Sequence, residues 1–184
     1  GLAVLTDVER DLGVVLIDIG GGTTDIAAFE NVSICHTSAI PVAGNHTTRD
    51  LARVLHISME DAEATKRRFG RALADMASAD DYIQITLAGT GSVERIPQRL
   101  VSEILEPRFE EIFTLVKNDL KRAGHYHSIN GGVVISGGGS QLAETWRVAS
   151  NVLDGLPVRV GAPRGIVGLA DSVATPVHAT GVGL

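Results

Sequence analysis

A turn of three glycines between two apolar stretches constrains this chain more than any other feature. Residues 20–22 are glycines, the apolar stretches span residues 14–17 and 26–29, and Asp18 and Asp25 flank the turn. Glycines let the backbone approach a ligand closely, and successive N–H groups in such a turn suit phosphate oxygens. A carboxylate at the strand end suits Mg²⁺, held directly or through water. The pattern predicts a strand, a phosphate-binding turn and a second strand, with a ligand-free hairpin turn as the alternative.

Two common phosphate-binding motifs are absent from the sequence. It contains neither G-x-x-x-x-G-K-[ST] nor a G-x-G-x-x-G that opens a helix. We therefore predict neither a P-loop nor a Rossmann dinucleotide site.

The amino-acid composition limits which kinds of partner and which cellular compartment we expect. The net charge of −6 and the 4% of aromatic residues disfavour a nucleic-acid partner. Cys35 is the only cysteine, so no internal disulfide can form, and a reducing cytoplasm is the simple expectation. No apolar run reaches the ~18 residues of a membrane-spanning helix. The chain begins with Gly1 rather than methionine, which suggests a fragment of a longer protein.

The order of predicted elements indicates an α/β fold with two parts. Residues 13–40 predict three strands in an antiparallel meander, because Glu30 and Asn31 leave room only for a two-residue hairpin connection. Helices are predicted for 47–55, 59–69, 98–122 and 141–152, and further strands for 82–87, 93–96, 131–135 and 158–160. Pro107 should kink or break the third helix. The end of the chain is thus β-α-β, and together with the meander it predicts a mixed sheet. We expect one large lobe from residues 1–46 and 129–184 and a smaller inserted α+β subdomain from 47–128.

A second glycine turn and a charged pair extend the candidate site. Residues 137–139 are glycines after a second buried-type strand, and two such turns at one sheet edge can hold two ends of one ligand. Glu63 and Lys66 are three residues apart on a predicted helix and share a face. The carboxylate can accept ribose hydroxyl protons, and the lysine stem can lie along a base. An ordinary surface ion pair is the alternative.

The series of motifs resembles one family. The motifs are Asp-Ile-Gly-Gly-Gly-Thr-Thr-Asp (18–25), Ile-Pro-Val-Ala-Gly-Asn (40–45), Ala-Glu-Ala-Thr-Lys (62–66), Glu-Pro-Arg-Phe (106–109), Val-Ile-Ser-Gly-Gly-Gly (134–139) and Arg-Val-Gly-Ala-Pro (159–163). This series is similar to that of the bacterial cell-division protein FtsA, of the superfamily of actin, Hsp chaperones and sugar kinases. The resemblance implies the C-terminal half of an actin-like, ribonuclease H-like fold.

The resemblance also implies an ATP site. It assigns the β- and γ-phosphates and Mg²⁺ to the first loop, with Asp18 holding the metal through water. It assigns ribose and adenine to Glu63 and Lys66, and adenosine to the second loop. The loop residues concerned are Gly20, Gly21, Gly22, Thr23, Gly137, Gly138 and Gly139.

The partners implied by the resemblance are FtsZ and further copies of the protein. The family polymerises into actin-like filaments and recruits FtsZ to the inner face of the cytoplasmic membrane at the division site. Arg108 and Glu111 match its site for the FtsZ C-terminal peptide, where Arg108 can pair with a carboxylate of that acidic and hydrophobic peptide. The family's first phosphate loop would precede Gly1 and its membrane helix would follow Leu184. We therefore expect poor ATP affinity for this piece and weak ATPase activity at most for the whole protein.

Two other functions stay open at this point. One is a kinase of the same superfamily acting on a sugar or small metabolite, which would need an aspartate base in the missing lobe. The other is a peptide-binding module without a nucleotide.

A few further residues could carry chemistry of their own. His125 and His127 could bind a metal, but a site needs three or four ligands, so polar loop residues are the expectation. Cys35 and His36 are adjacent on a predicted strand and should point to opposite faces.

Overall fold

The computed structural model describes residues 4–161 of the chain. The helices are α1 (Asp7–Leu12), α2 (Gly44–Leu55), α3 (Met59–Phe69), α4 (Gln98–Ala123) and α5 (Thr145–Val152). The strands are β1 (Val14–Ile19), β2 (Thr24–Glu30), β3 (Ser33–Ile40), β4 (Tyr82–Thr86), β5 (Val93–Pro97), β6 (Val133–Ser136) and β7 (Val158–Val160).

The strands form a mixed five-stranded sheet and a separate hairpin. The order in the large sheet is β3-β2-β1-β6-β7, in which β1, β2 and β3 are antiparallel and β6 and β7 run parallel to β1. The hairpin is β4-β5. The predicted α/β class, the meander and the β-α-β end are confirmed.

The β2–β3 hairpin departs from a regular ladder at two points. Its turn is made by Asn31 and Val32, with φ values of 49° and 66°, one residue later than predicted. The register then shifts between Ala28 and Phe29, so that Cys35 is an extra residue on β3. Such a bulge bends the strand and changes where its side chains point.

The short helix α1 was missed in the sequence, although its capping signal is there. Thr6 Oγ1 accepts from the N–H of Glu9 at 3.2 Å, and Glu9 Oε2 accepts from the N–H of Thr6 at 2.7 Å. This is the T-x-x-E capping box. Arg159 then donates to both oxygens of Glu9, at 2.6 and 2.8 Å, and this pairing lowers the pKa of Glu9 to about 2. The bidentate pair fixes α1 against β7.

The helix α4 runs unbroken through Pro107. Its apolar stripe is buried, at Val101, Leu105, Phe109, Ile112, Val116 and Leu120. Pro107 itself is exposed, where water can satisfy the carbonyl that loses its helix partner. The prediction of a break was wrong because packing along the buried stripe holds both halves in one helix.

The core joins the sheet to the central helices. Buried residues of β1 and β6, such as Ile17 and Ile135, belong to the same cluster as Leu51 and Phe109. The helix α4 contacts α2 on one side and α5 and β3 on the other. The division into a large lobe and an inserted subdomain stays a prediction.

Candidate functional site

The two glycine loops leave the sheet side by side. In the parallel pairing of β1 with β6, Asp18 is the Cα partner of Ser136, so both loops begin at the same edge. A Cβ atom on Gly137 would lie 2.3 Å from Asp18 Oδ1, and one on Gly139 would lie 2.4 Å from Ile19 Cγ2. Side chains cannot fit at these two positions, so glycine is required there by the neighbouring strand.

The start of α2 supports the first glycine loop. Gly44 N donates to Gly20 O at 3.0 Å, and Asn45 N donates to Gly21 O at 2.8 Å. Residues 21–23 are exposed, so a ligand can reach this part of the loop. Gly44 and Asn45 belong to the motif at residues 40–45. Their hydrogen bonds to the first loop join residues far apart in the sequence, so no local sequence pattern predicts them.

The pair of Glu63 and Lys66 is formed, and it is joined to α2. Lys66 Nζ lies 2.7 Å from Glu63 Oε2 and donates to Thr48 Oγ1 at 2.7 Å and to Gly44 O at 3.2 Å. The Lys66 side chain is only 13% exposed, which distinguishes it from an ordinary surface ion pair. Lys66 therefore connects α3 to the residue that supports the first glycine loop.

The carboxyl group of Glu63 is held in its ionised form. Burial opposes ionisation, but hydrogen bonds from Lys66, Thr48 and Arg67 outweigh it and lower the pKa of Glu63 from 4.5 to about 2. A carboxylate accepts hydrogen bonds only, so at neutral pH Glu63 suits a ligand that offers hydroxyl groups.

A cavity of about 460 Å³ lies between residues of α3 and the second glycine loop. It is lined by Lys66, Arg67, Gly138, Gln141 and Leu142. Its size is in the range of small-molecule sites. The second loop continues into a short 3₁₀ turn, Gly138–Gln141, and α5 starts only at Thr145, so the predicted helix start at residue 141 was wrong. That turn places Gln141 in the cavity wall.

Arg108 and Glu111 lie in a different groove. This groove has a volume of about 420 Å³ and is lined by Asp50, Val54, Glu103, Ile104, Pro107, Arg108 and Glu111. Arg108 donates to both carboxylate oxygens of Asp50, at 2.7 and 3.1 Å, and also pairs with Glu111. The hydrogen bond to Asp50 is the main reason that the pKa of Arg108 is raised. Arg108 is therefore already paired with two acidic residues of the same chain.

Comparison with known proteins places the chain in a family. The model of the family described as cell division protein FtsA matches residues 15–183. The chain belongs to the FtsA family. FtsA of Pseudomonas aeruginosa is 41% identical over 182 residues, and FtsA of Escherichia coli is 36% identical over 189 residues. Each alignment covers 99% of this chain but only 43% and 45% of the relative, so the chain spans less than half of these FtsA proteins.

Solved structures agree with this FtsA-family assignment at the level of the fold. MreB5 of Spiroplasma citri bound to AMPPNP has a TM-score of 0.74 at 24% identity, over 96% of this chain and 54% of that one. The MamK double helical filament has a TM-score of 0.63 at 17% identity, over 93% and 55% of the two chains. The chain has the actin-like fold, as the resemblance implied.

No helix within residues 4–161 of this FtsA-family chain is both long and apolar enough to cross a membrane.

Proposed function

We propose that this chain supplies half of the ATP site of an actin-like cell-division protein. The observation that carries the proposal is that the two glycine loops leave the sheet at one edge, while Lys66 lines a cavity with Gly138 and bonds to Gly44 beside the first loop. The first loop would surround the β- and γ-phosphates through residues 20–23. Glu63 and Lys66 would contact ribose and adenine, and residues 137–139 would border the adenosine. The MreB5 relative of known structure was crystallised with AMPPNP, which supports a nucleotide in the same fold.

Asp18 fits the metal that accompanies ATP. It lies one residue before the end of β1, where both loops begin, and a Cβ on Gly137 would lie 2.3 Å from its Oδ1 atom. A carboxylate at that place suits Mg²⁺ held through water. When bound, Mg²⁺ would neutralise phosphate charge, while Asp18 would orient its water ligands.

Replacing Lys66 with alanine should weaken ATP binding by about tenfold, or about 1.4 kcal/mol. The variant loses the lysine stem along the cavity wall and the bonds that hold Gly44 and Thr48. The measurement is a calorimetric titration of the intact protein with ATP and Mg²⁺. Lys121→Ala is the matched control, because Lys121 is an exposed lysine on α4 that does not line the cavity. Equal ATP affinities for the two variants would count against the proposed site.

We further propose that the intact protein polymerises and links FtsZ to the inner face of the cytoplasmic membrane. The groove between α2 and α4 supports the FtsZ part. Val54, Ile104 and Pro107 offer apolar surface, and Arg108 offers a cation among three carboxylates. Glu111 is 45% exposed against 21% for Asp50, so a peptide carboxylate would displace Glu111 and leave the Asp50 pair in place. The membrane attachment would use a part of the protein beyond this chain, at the division site.

Arg108→Glu should weaken binding of the FtsZ C-terminal peptide by at least about tenfold, since a charge reversal places like charges together. Arg108→Lys keeps the charge but loses the two-pronged hydrogen bonding, so an intermediate loss is expected. Lys121→Glu on the same helix is the control, because Lys121 is exposed and does not line this groove. Calorimetric titration measures the peptide affinity of each variant, and circular dichroism checks that each variant is folded. Peptide affinity unchanged in Arg108→Glu would refute this groove as the FtsZ site.

A further inference from the structure

Three side chains with different ligand chemistry meet away from the nucleotide cavity. Glu30 is the last residue of β2, Cys35 lies in β3, and His125 directly follows the cap of α4. A carboxylate oxygen of Glu30, Cys35 Sγ and a ring nitrogen of His125 all lie within 4.8 Å of one another. Glu30 and His125 are half-buried, and Cys35 is exposed, so an ion from solvent can enter.

The bulge in β3 creates this meeting. Strand alternation predicted that Cys35 and His36 point to opposite faces, yet both approach His125. The His36 ring stacks on the His125 ring with centroids 5.9 Å apart, while Cys35 Sγ lies near a nitrogen of the same ring. The extra residue of the bulge changes the direction of Cys35, and bulges are often placed where a side chain must be re-aimed. Two adjacent residues of β3 thus contact one ring beside the bulge.

The neighbours of His125 fix its position. Gly124 ends α4 in the left-handed conformation, and His125 N donates to Leu120 O at 3.0 Å. On the other side, the stacked ring of His36 is itself held by Asp119, with Nε2 2.7 Å from Oδ2. The position directly after a long helix also favours a cation, because the C-terminal end of the helix dipole is negative.

We propose that Glu30, Cys35 and His125 bind one divalent cation of the zinc class, with water as the fourth ligand. A thiolate, an imidazole and a carboxylate together suit Zn²⁺, whereas Mg²⁺ and Ca²⁺ prefer oxygen ligands alone. Tetrahedral zinc with these ligands needs donor atoms about 3.3–3.8 Å apart. The donor atoms of the three side chains therefore need to move closer to one another by at most about 1.5 Å.

Zinc binding here has a defined proton balance. Burial, and then the negative charge of Glu30, raise the pKa of the Cys35 thiol, so the thiol is protonated before the ion arrives. Formation of the zinc–sulfur bond releases that proton to the buffer.

The test is a titration of the full chain with Zn²⁺, and separately with Co²⁺, in the presence of a reductant that does not bind metals. We expect one ion per chain and, with Co²⁺, a thiolate-to-cobalt charge-transfer band in the near ultraviolet. Cys35 is the chain's only cysteine, so such a band can come from no other residue. Cys35→Ser should abolish the band, and His125→Gln and Glu30→Gln should each weaken zinc binding by at least about tenfold.

His127→Gln is the matched control. His127 is an exposed histidine two residues from His125, and its ring contacts the edge of Tyr126 rather than the cluster. This variant should keep the affinity of the unchanged chain. Equal zinc affinity in all four variants, loss confined to His127→Gln, no binding at micromolar zinc, or a band that persists in Cys35→Ser would each overturn the site.

Discussion

Gly137→Ala should lower the free energy of unfolding by about 2–4 kcal/mol. The added Cβ would lie 2.3 Å from Asp18 Oδ1 and 2.5 Å from Ile19 O, and one of these contacts is with backbone that cannot rotate away. Gly137 also has a φ of 81°, a conformation that costs an alanine free energy. Strain and overlap act together, and the adjoining strands would have to separate to relieve them.

Gly138→Ala is the control for this experiment. A Cβ on Gly138 would meet no atom within 4 Å, so its effect on unfolding should stay within about 0.5 kcal/mol. Urea unfolding of both variants, followed by circular dichroism, gives the comparison. If the two alanines cost the same, the close packing of the two glycine loops does not exist in solution.

Asp119→Ala should cost about 2–4 kcal/mol of unfolding free energy. The Asp119 side chain is only 11% exposed and joins α4 to β3. Ser38 Oγ donates to its Oδ2 at 2.5 Å, His36 Nε2 lies 2.7 Å from the same oxygen, and Arg122 donates to Oδ1 at 2.6 Å. Burial raises the pKa of Asp119, but these hydrogen bonds outweigh it and lower the pKa overall. Removing the carboxylate leaves Ser38 and His36 without their acceptor.

Two further variants separate the hydrogen bonds from general effects on the helix. Asn118→Ala changes the exposed neighbour of Asp119 and should stay within about 0.5 kcal/mol. Asp119→Asn keeps an acceptor for Ser38 and His36 but removes the charge, so its cost should fall between the other two. Chemical unfolding at neutral pH measures all three. An Asp119→Ala chain as stable as Asn118→Ala would show that the link between α4 and β3 contributes nothing.

Features set by neighbouring residues were predictable from the sequence. Ser58 stands directly before α3 and is a favoured N-cap residue, and its Oγ accepts from Asp61 N at 3.0 Å. Gly70 directly follows the last residue of that helix and is its C-cap. The two glycine turns were expected at one sheet edge, and the pairing of β1 with β6 places them there. In each case a short pattern carries the physical cause, whether a side-chain acceptor, a missing Cβ or an apolar strand.

Features that depend on contacts between distant residues were not predictable in the same way. Arg108 was predicted from the sequence as a candidate peptide-binding residue, but its bidentate partner Asp50 lies on α2, far along the chain. The break predicted at Pro107 ignored the packing of α4 against two sets of neighbours. The bulge at Cys35 depends on the register of β2 with β3, which alternation of side chains alone does not reveal. Local features of single residues were thus easier to predict than contacts between distant residues.

Gly44 is hydrogen-bonded to two parts of the candidate nucleotide site. Its carbonyl accepts from Lys66 at one wall of the cavity, and its N–H donates to Gly20 in the first loop. A ligand that attracts the ammonium group of Lys66 would weaken its hydrogen bond to the Gly44 carbonyl. The N–H group of the same residue holds the first loop at Gly20. The two ends of the proposed nucleotide site are therefore joined through one residue, and we expect a ligand that moves Lys66 to shift the first loop as well.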